Sequence, residues 1–225
     1  MKKSILFAFA LIALTQISYA QFSVGAQAGI DINNINITGI PDVLTSPKNT
    51  MASTRAGIFG SYALTENSAV KVELNLVKKG FSINQDILNI GLNIPLEASL
   101  NTTLNYVEIP VLYKHSIPVN KLNVYVEGGP SLLYGTHGSI TPEVNLLFDF
   151  QLPSVDLNFD DPTFNRTAAA VNIGAGVEMP LNNRVNVFAQ TRYSMGVTNL
   201  MEAPVVAIDT KTRSFNLGVG MSYAL

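Results

Sequence analysis

Phe215-Asn216-Leu217-Gly218-Val219-Gly220-Met221-Ser222-Tyr223-Ala224-Leu225 closes the chain, and its large apolar side chains alternate without a break against small or polar ones. Successive side chains of a β-strand point to opposite faces, so a strict two-residue period marks a strand lying between two different environments. One face is greasy, and the other is built from Asn, Gly, Ser and Ala.

The same period opens the region after Ala20, where Phe22, Val24, Ala26, Ala28, Ile30 and Ile32 alternate with Ser23, Gly25, Gln27, Gly29 and Asp31. Six more strands are expected in between, near residues 54–64, 69–81, 100–114, 122–136, 167–180 and 184–197. Connectors at 65–68, 116–121 and 181–183 are short, and those before 54, after 81, after 136 and after 197 are long. Short turns on the periplasmic side, long loops outside and an even strand number that brings both termini to the periplasm are the plan of an outer-membrane barrel. The expected fold is therefore all-β: an eight-stranded antiparallel up-and-down transmembrane β-barrel in the outer membrane, with both termini periplasmic. Leu88, Ile90, Leu92, Ile94 and Leu96 also alternate, and 144–150 and 155–159 read as short strands forming a hairpin within the long segment 137–166, so a ten-stranded count stays open.

A soluble sandwich or lipocalin-like barrel also shows period-two strands, but its outer face is charged. Here the face opposite the apolar one is rich in Gly, Ala, Ser and Asn with few charges, which fits a narrow lumen packed by small polar groups. Register then predicts two lipid-facing aromatic girdles, Phe22, Tyr62, Tyr113 and Tyr223 at the periplasmic level and Tyr134, Tyr193 and Phe215 at the outer level. Pro110 and Pro130 each remove a ladder donor and are expected to mark bulges.

Composition narrows the function classes. Charged residues make up only 13% of the chain and the formal net charge is -2, so the basic surface that nucleic-acid binding needs is missing. With no cysteine there is neither a disulfide framework nor a thiolate metal site. Lys2 and Lys3, an apolar run over 5–14 and Ser18-Tyr19-Ala20 have the layout of a cleavable secretory signal, giving a leader at 1–20 and a barrel domain at 21–225. An uncleaved anchor helix is the weaker alternative, because the apolar run is short for a bilayer core.

On the inward phase, Lys71, Glu73, Glu108, Glu127, Glu178 and Arg192 form a candidate lumen charge network. Buried charges must pair or hydrate, and an eight-stranded barrel is just wide enough for side chains to fill, so the network reads as a structural plug, with a gated or proton-conducting lumen as the sharper alternative. Asp156-Leu157-Asn158-Phe159-Asp160-Asp161 spaces oxygen ligands as calcium loops do but lacks their glycine and distal glutamate, and it reads as the solvated edge of a loop. His137 near Ser139 lacks an orienting acid fixed by sequence, so no catalytic residue, metal site or cofactor is expected. The apolar strand segments outside the membrane serve either partner binding or their own packing.

Three segments carry a family resemblance. Tyr106-Val107-Glu108-Ile109-Pro110-Val111-Leu112-Tyr113-Lys114, Glu127-Gly128-Gly129-Pro130, and the pair Ile173–Glu178 and Arg192–Leu200 together resemble the PorT-like outer-membrane β-barrel (porin) family of Bacteroidetes. The resemblance implies an eight-stranded outer-membrane barrel, some of whose relatives take part in protein secretion. The chain departs from outer-membrane barrels in ending on Leu225, and Tyr223 is expected to supply the aromatic that the barrel assembly machinery reads. The functional expectation is a non-enzymatic structural or interaction component of the envelope. Its partners would be outer-membrane lipids, the assembly machinery during biogenesis, and envelope or secretion-system proteins through the extracellular loops. The alternative is a narrow porin for ions or small solutes.

Overall fold

The computed structural model describes residues 21–38, 48–49, 51–88, 96–145, 149–151, 153–157, 166–198 and 209–225. The leader at 1–20 lies outside them. Eight strands build the fold: β1 (Phe22–Thr38), β2 (Met51–Ala63), β3 (Ser68–Leu88), β4 (Leu96–Val119), β5 (Leu122–Asn145), β6 (Thr167–Pro180), β7 (Val185–Gly196) and β8 (Asp209–Ala224). Each pairs antiparallel with its neighbours in sequence, and β8 returns to pair with β1 from Ser23↔Ala224 to Thr38↔Asp209, so the sheet closes into a barrel.

The alternation sets which way each strand faces. Leu132, Ile173 and Leu76 point outward and are 67%, 66% and 65% exposed, far too much apolar surface for water to tolerate as a continuous belt. Their neighbours in the chain, such as Asn75, Val77, Ser131 and Asn172, are buried inside. A belt of this kind takes acyl chains as its solvent.

The three short turns lie at the end that carries the termini. Between β2 and β3, the Leu64 amide donates to the Ser68 carbonyl at 2.8 Å. The β4–β5 connection is only Asn120 and Lys121, with Asn120 at φ 56°, the left-handed region that asparagine tolerates better than most residues. In the β6–β7 turn Asn182 Oδ1 accepts from the amides of Arg184 (2.9 Å) and Val185 (2.8 Å), a local substitute for ladder bonds.

Three sequence expectations need correction. The connector expected at 116–121 shrinks to two residues, because pairing continues down to Val119↔Leu122. At Pro110 and Pro130 there is no bulge: the ladders skip from Val72↔Val111 to Asn75↔Glu108 and from Pro110↔Ser131 to Tyr113↔Gly128, and the register is unchanged across both gaps. Each proline removes its bond without inserting a residue, and Gly129 lets β5 close onto β4 there, since a Cβ on it would stand 2.0 Å from the Val111 carbonyl oxygen. The register shifts instead beside Asn105 and Tyr106, where Thr136 is the extra residue. Finally, 144–150 is not one strand. Val144 and Phe150 face each other, with Asp149–Gln151 folded back on the end of β5 and Val155–Leu157 pairing lower on the same strand.

β3, β4 and β5 run for 21, 24 and 24 residues, whereas β7 has 12. About 9–11 residues cross a bilayer core, so the wall made by β3, β4 and β5 stands well beyond the lipid, while β7 is little longer than a crossing needs.

Candidate functional site in the barrel lumen

The inward side chains form three charged groups along the bore. Nearest the termini, Lys114 pairs with Glu178, and its ammonium lies 4.3 Å from the centre of the Tyr125 ring. In the middle, Arg192 from β7 reaches across to β3 and holds Glu73 through two bonds, Nη1 to Oε2 at 2.8 Å and Nη2 to Oε1 at 2.7 Å. The same guanidinium meets Glu127 Oε1 at 2.5 Å, and Lys71 joins the two acids from the other side, 3.0 Å from Glu73 and 2.6 Å from Glu127. Toward the loop end, Arg55 bridges Asp31 at 3.0 Å and Glu108 at 2.7 Å. Asn216 donates to Asp31 at 2.8 Å and Ser131 to Glu108 at 2.9 Å. Lys79 is buried beside this group and acts on Glu108 and Asp31 through space, with no ion pair among the described residues.

The inventory balances. Among the described residues the lumen holds Asp31, Glu73, Glu108, Glu127 and Glu178 against Arg55, Lys71, Lys79, Lys114 and Arg192, and each of the three groups is neutral by itself. Ionic groups in a low-dielectric interior are tolerable only when paired and hydrogen-bonded, and the amides extend that satisfaction. Tyr125 donates to Gln190, Gln190 to Gln27, and Gln27 to both Glu73 (2.8 Å) and Asn75 (2.9 Å).

Apolar side chains and small polar ones share the rest. Phe59, Phe188 and Tyr125 pack below the middle group, with Phe59 and Phe188 edge to face at 5.7 Å and the Lys71 ammonium 5.4 Å from the Phe59 ring. Val77, Leu104, Tyr106, Leu133, Ala168 and Ala170 form a second buried cluster on the side toward the loops. The small polar groups expected in the lumen are there, Ser131, Asn172, Ser194, Ser214 and Asn216 among them, and large apolar side chains share the bore with them. The small residues make room for large ones: a Cβ on Gly220 would stand 2.3 Å from Phe188 Cζ, and one on Gly25 the same distance from Phe59 Cζ.

Of the six charges singled out in the sequence, Lys71, Glu73, Glu127 and Arg192 converge in the middle group, Glu108 belongs to the group around Arg55, and Glu178 pairs with Lys114. Asp31, Arg55, Lys79 and Lys114 were missed, although each sits on the inward phase of its strand. A count of charge held the signal, since the six residues alone set four acids against two bases.

On the outer surface Tyr113 and Tyr223 are exposed and Phe22 and Tyr62 half-exposed near the terminal end, while Tyr134, Tyr193 and Phe215 are exposed toward the loop end. Their polar tips are engaged: Tyr62 OH with Gln21 (2.8 Å), Tyr113 OH with Ser68 (2.9 Å) and Tyr223 OH with Arg184 (3.0 Å), and Arg166 lies over the Tyr134 ring at 5.5 Å. His137 is exposed and 3.6 Å from Asp156. Asn158, Phe159, Asp160 and Asp161 of the calcium-like stretch lie outside the described residues, among which no group of three metal-ligating side chains occurs.

A family model described as outer membrane protein beta-barrel domain matches residues 16–202. Among solved structures, the chain is similar to Neisserial surface protein A, at 14% identity over 91% of this chain and 97% of that one, with a TM-score of 0.52. It is also similar to OprG from Pseudomonas aeruginosa, at 12% identity over 90% and 94%, with a TM-score of 0.49. At 14% identity the likeness to Neisserial surface protein A speaks to the fold alone. No curated protein sequence matches the chain.

Proposed function

We propose, from the premise that the chain belongs to the outer membrane protein beta-barrel domain family, that it is a closed, non-conducting and non-enzymatic barrel that anchors an external sheet for protein contacts in the envelope. The observation that carries this reading is the filled bore: three neutral ionic groups with apolar clusters on either side of the middle one. A diffusion pore needs a continuous wet path, and packed Phe59, Phe188 and Tyr125 beneath Arg192 oppose one.

The external sheet is the extension of β3, β4 and β5, with Asp149–Gln151 and Val155–Leu157 added along β5. Strand edges held clear of lipid offer main-chain donors and acceptors to another chain. Envelope and secretion-system proteins are the partners this arrangement suits, and the PorT-like segments around Glu108 and Glu127 support a secretion role. Export on a leader at 1–20, periplasmic termini and insertion by the barrel assembly machinery complete the reading, and short turns on the terminal side support that orientation.

Planar-bilayer recording of the purified barrel tests it. The expected result is no stepwise conductance above the bare bilayer, together with envelope proteins that co-purify in mild detergent and are lost when the β3–β5 extension is trimmed. Stable open-channel steps would establish the narrow porin instead.

A further inference from the structure

The outward surface is not uniform. Across β5, β6, β7, β8 and β1 near the terminal end lies a shallow apolar depression of about 740 Å³. Its floor is low because Ala28 and Ala189 stand where neighbouring positions carry large side chains, and Leu122, Met179, Val187 and Met221 rise around it. At its membrane edge the adjoining turns carry two cations. Lys121 directly precedes Leu122, and Arg184 is held at the level of Tyr223 by its 3.0 Å bond to the phenol oxygen. Both are exposed. The one acid described in these turns, Glu66, belongs to the β2–β3 turn, whose strands contribute nothing to the depression.

We propose that this depression is a retained-lipid site for an anionic phospholipid of the leaflet at the terminal end, one acyl chain lying over Ala28 and Ala189 and the phosphate between Lys121 and Arg184. An apolar trough bordered by exposed cations matches the two halves of such a lipid. A zwitterionic lipid fills the trough equally well, but its headgroup gains less from the two cations. A second copy of the chain would bring another apolar belt and no negative charge to the outward phase, because every carboxylate described on the strands of the barrel faces the lumen.

The site goes beyond the anchoring role and is read separately from conductance. The full chain is reconstituted in vesicles of equal phosphatidylglycerol and phosphatidylcholine, extracted into mild detergent and weighed by native mass spectrometry. The expected spectrum shows one phosphatidylglycerol per barrel. The double variant A28L/A189L, still apolar and lipid-facing, should lose that adduct while keeping the heat-modifiable gel mobility of a folded barrel. K121Q and R184Q, in exposed turns, should each lower the ratio of phosphatidylglycerol to phosphatidylcholine by roughly fivefold. Equal retention of the two lipids by the natural sequence, or an adduct unchanged in A28L/A189L, overturns the proposal. So does a dimer peak that A28L/A189L removes, which would give the depression to a second copy.

Discussion

Residues one apart on the same strand of this barrel live under opposite rules. On β8, Leu217, Val219 and Met221 are exposed to lipid, while Asn216 and Ser222 are buried in the bore. The lipid face asks only for apolar character and tolerates almost any shape. Inside, charges gather into neutral groups, and Phe59, Phe188 and Tyr125 each lie against a glycine. The outer face is therefore specified by composition and the inner one by particular pairs.

Substitutions of matched kind on the two faces separate these rules. The largest effect is expected from Arg192→Leu, which strands Glu73 and Glu127 in the bore: about 3–5 kcal/mol of stability should be lost in urea unfolding from vesicles. Adding Glu73→Gln and Glu127→Gln to that variant should recover part of the loss, and no recovery would mean that the ion pairs are not what Arg192 supplies. Next comes Val219→Arg, a charge placed on the lipid face near mid-strand, at about 2–4 kcal/mol in the same assay. Gly220→Ala, one residue along and on the inner face, adds a single methyl group against Phe188 and the Ala26 carbonyl, and should cost about 1–3 kcal/mol. The smallest change is expected from Val219→Leu, within about 0.5 kcal/mol, and a larger loss there would show that the lipid face is packed more tightly than proposed.

The same division explains what could be read in advance. Strand phase and the alternation of short and long connectors were legible because each repeats many times along the chain, and one misplaced boundary does not disturb the count. Glu73, Glu127 and Arg192 stood out as charges on the inward phase in the middle of their strands, Arg192 being the one charge on β7. Lys114 and Arg55 did not, because a cation near the end of a strand looks the same in sequence whether it is solvated or buried. The inward apolar residues were hidden for a different reason. Phe59, Tyr106 and Leu133 occupy the polar phase of their strands, so a rule that assigns greasy residues to lipid passes over them. The prolines misled because removing one hydrogen bond and inserting one residue leave the same mark on a sequence.

Glu73 and Arg192 are separated by 119 positions in the chain and sit on opposite arcs of the cylinder. Their bond can exist only once the seam between the first and last strands has been drawn together, and until then Glu73 has Lys71 of its own strand and Arg192 has Glu127 two strands away, each with only part of its final set of partners. Curling the sheet and completing that network are thus a single event. A half-rolled intermediate would have to keep its concave side wet, which gives the newborn chain a reason to stay at the membrane surface until all eight strands are in hand.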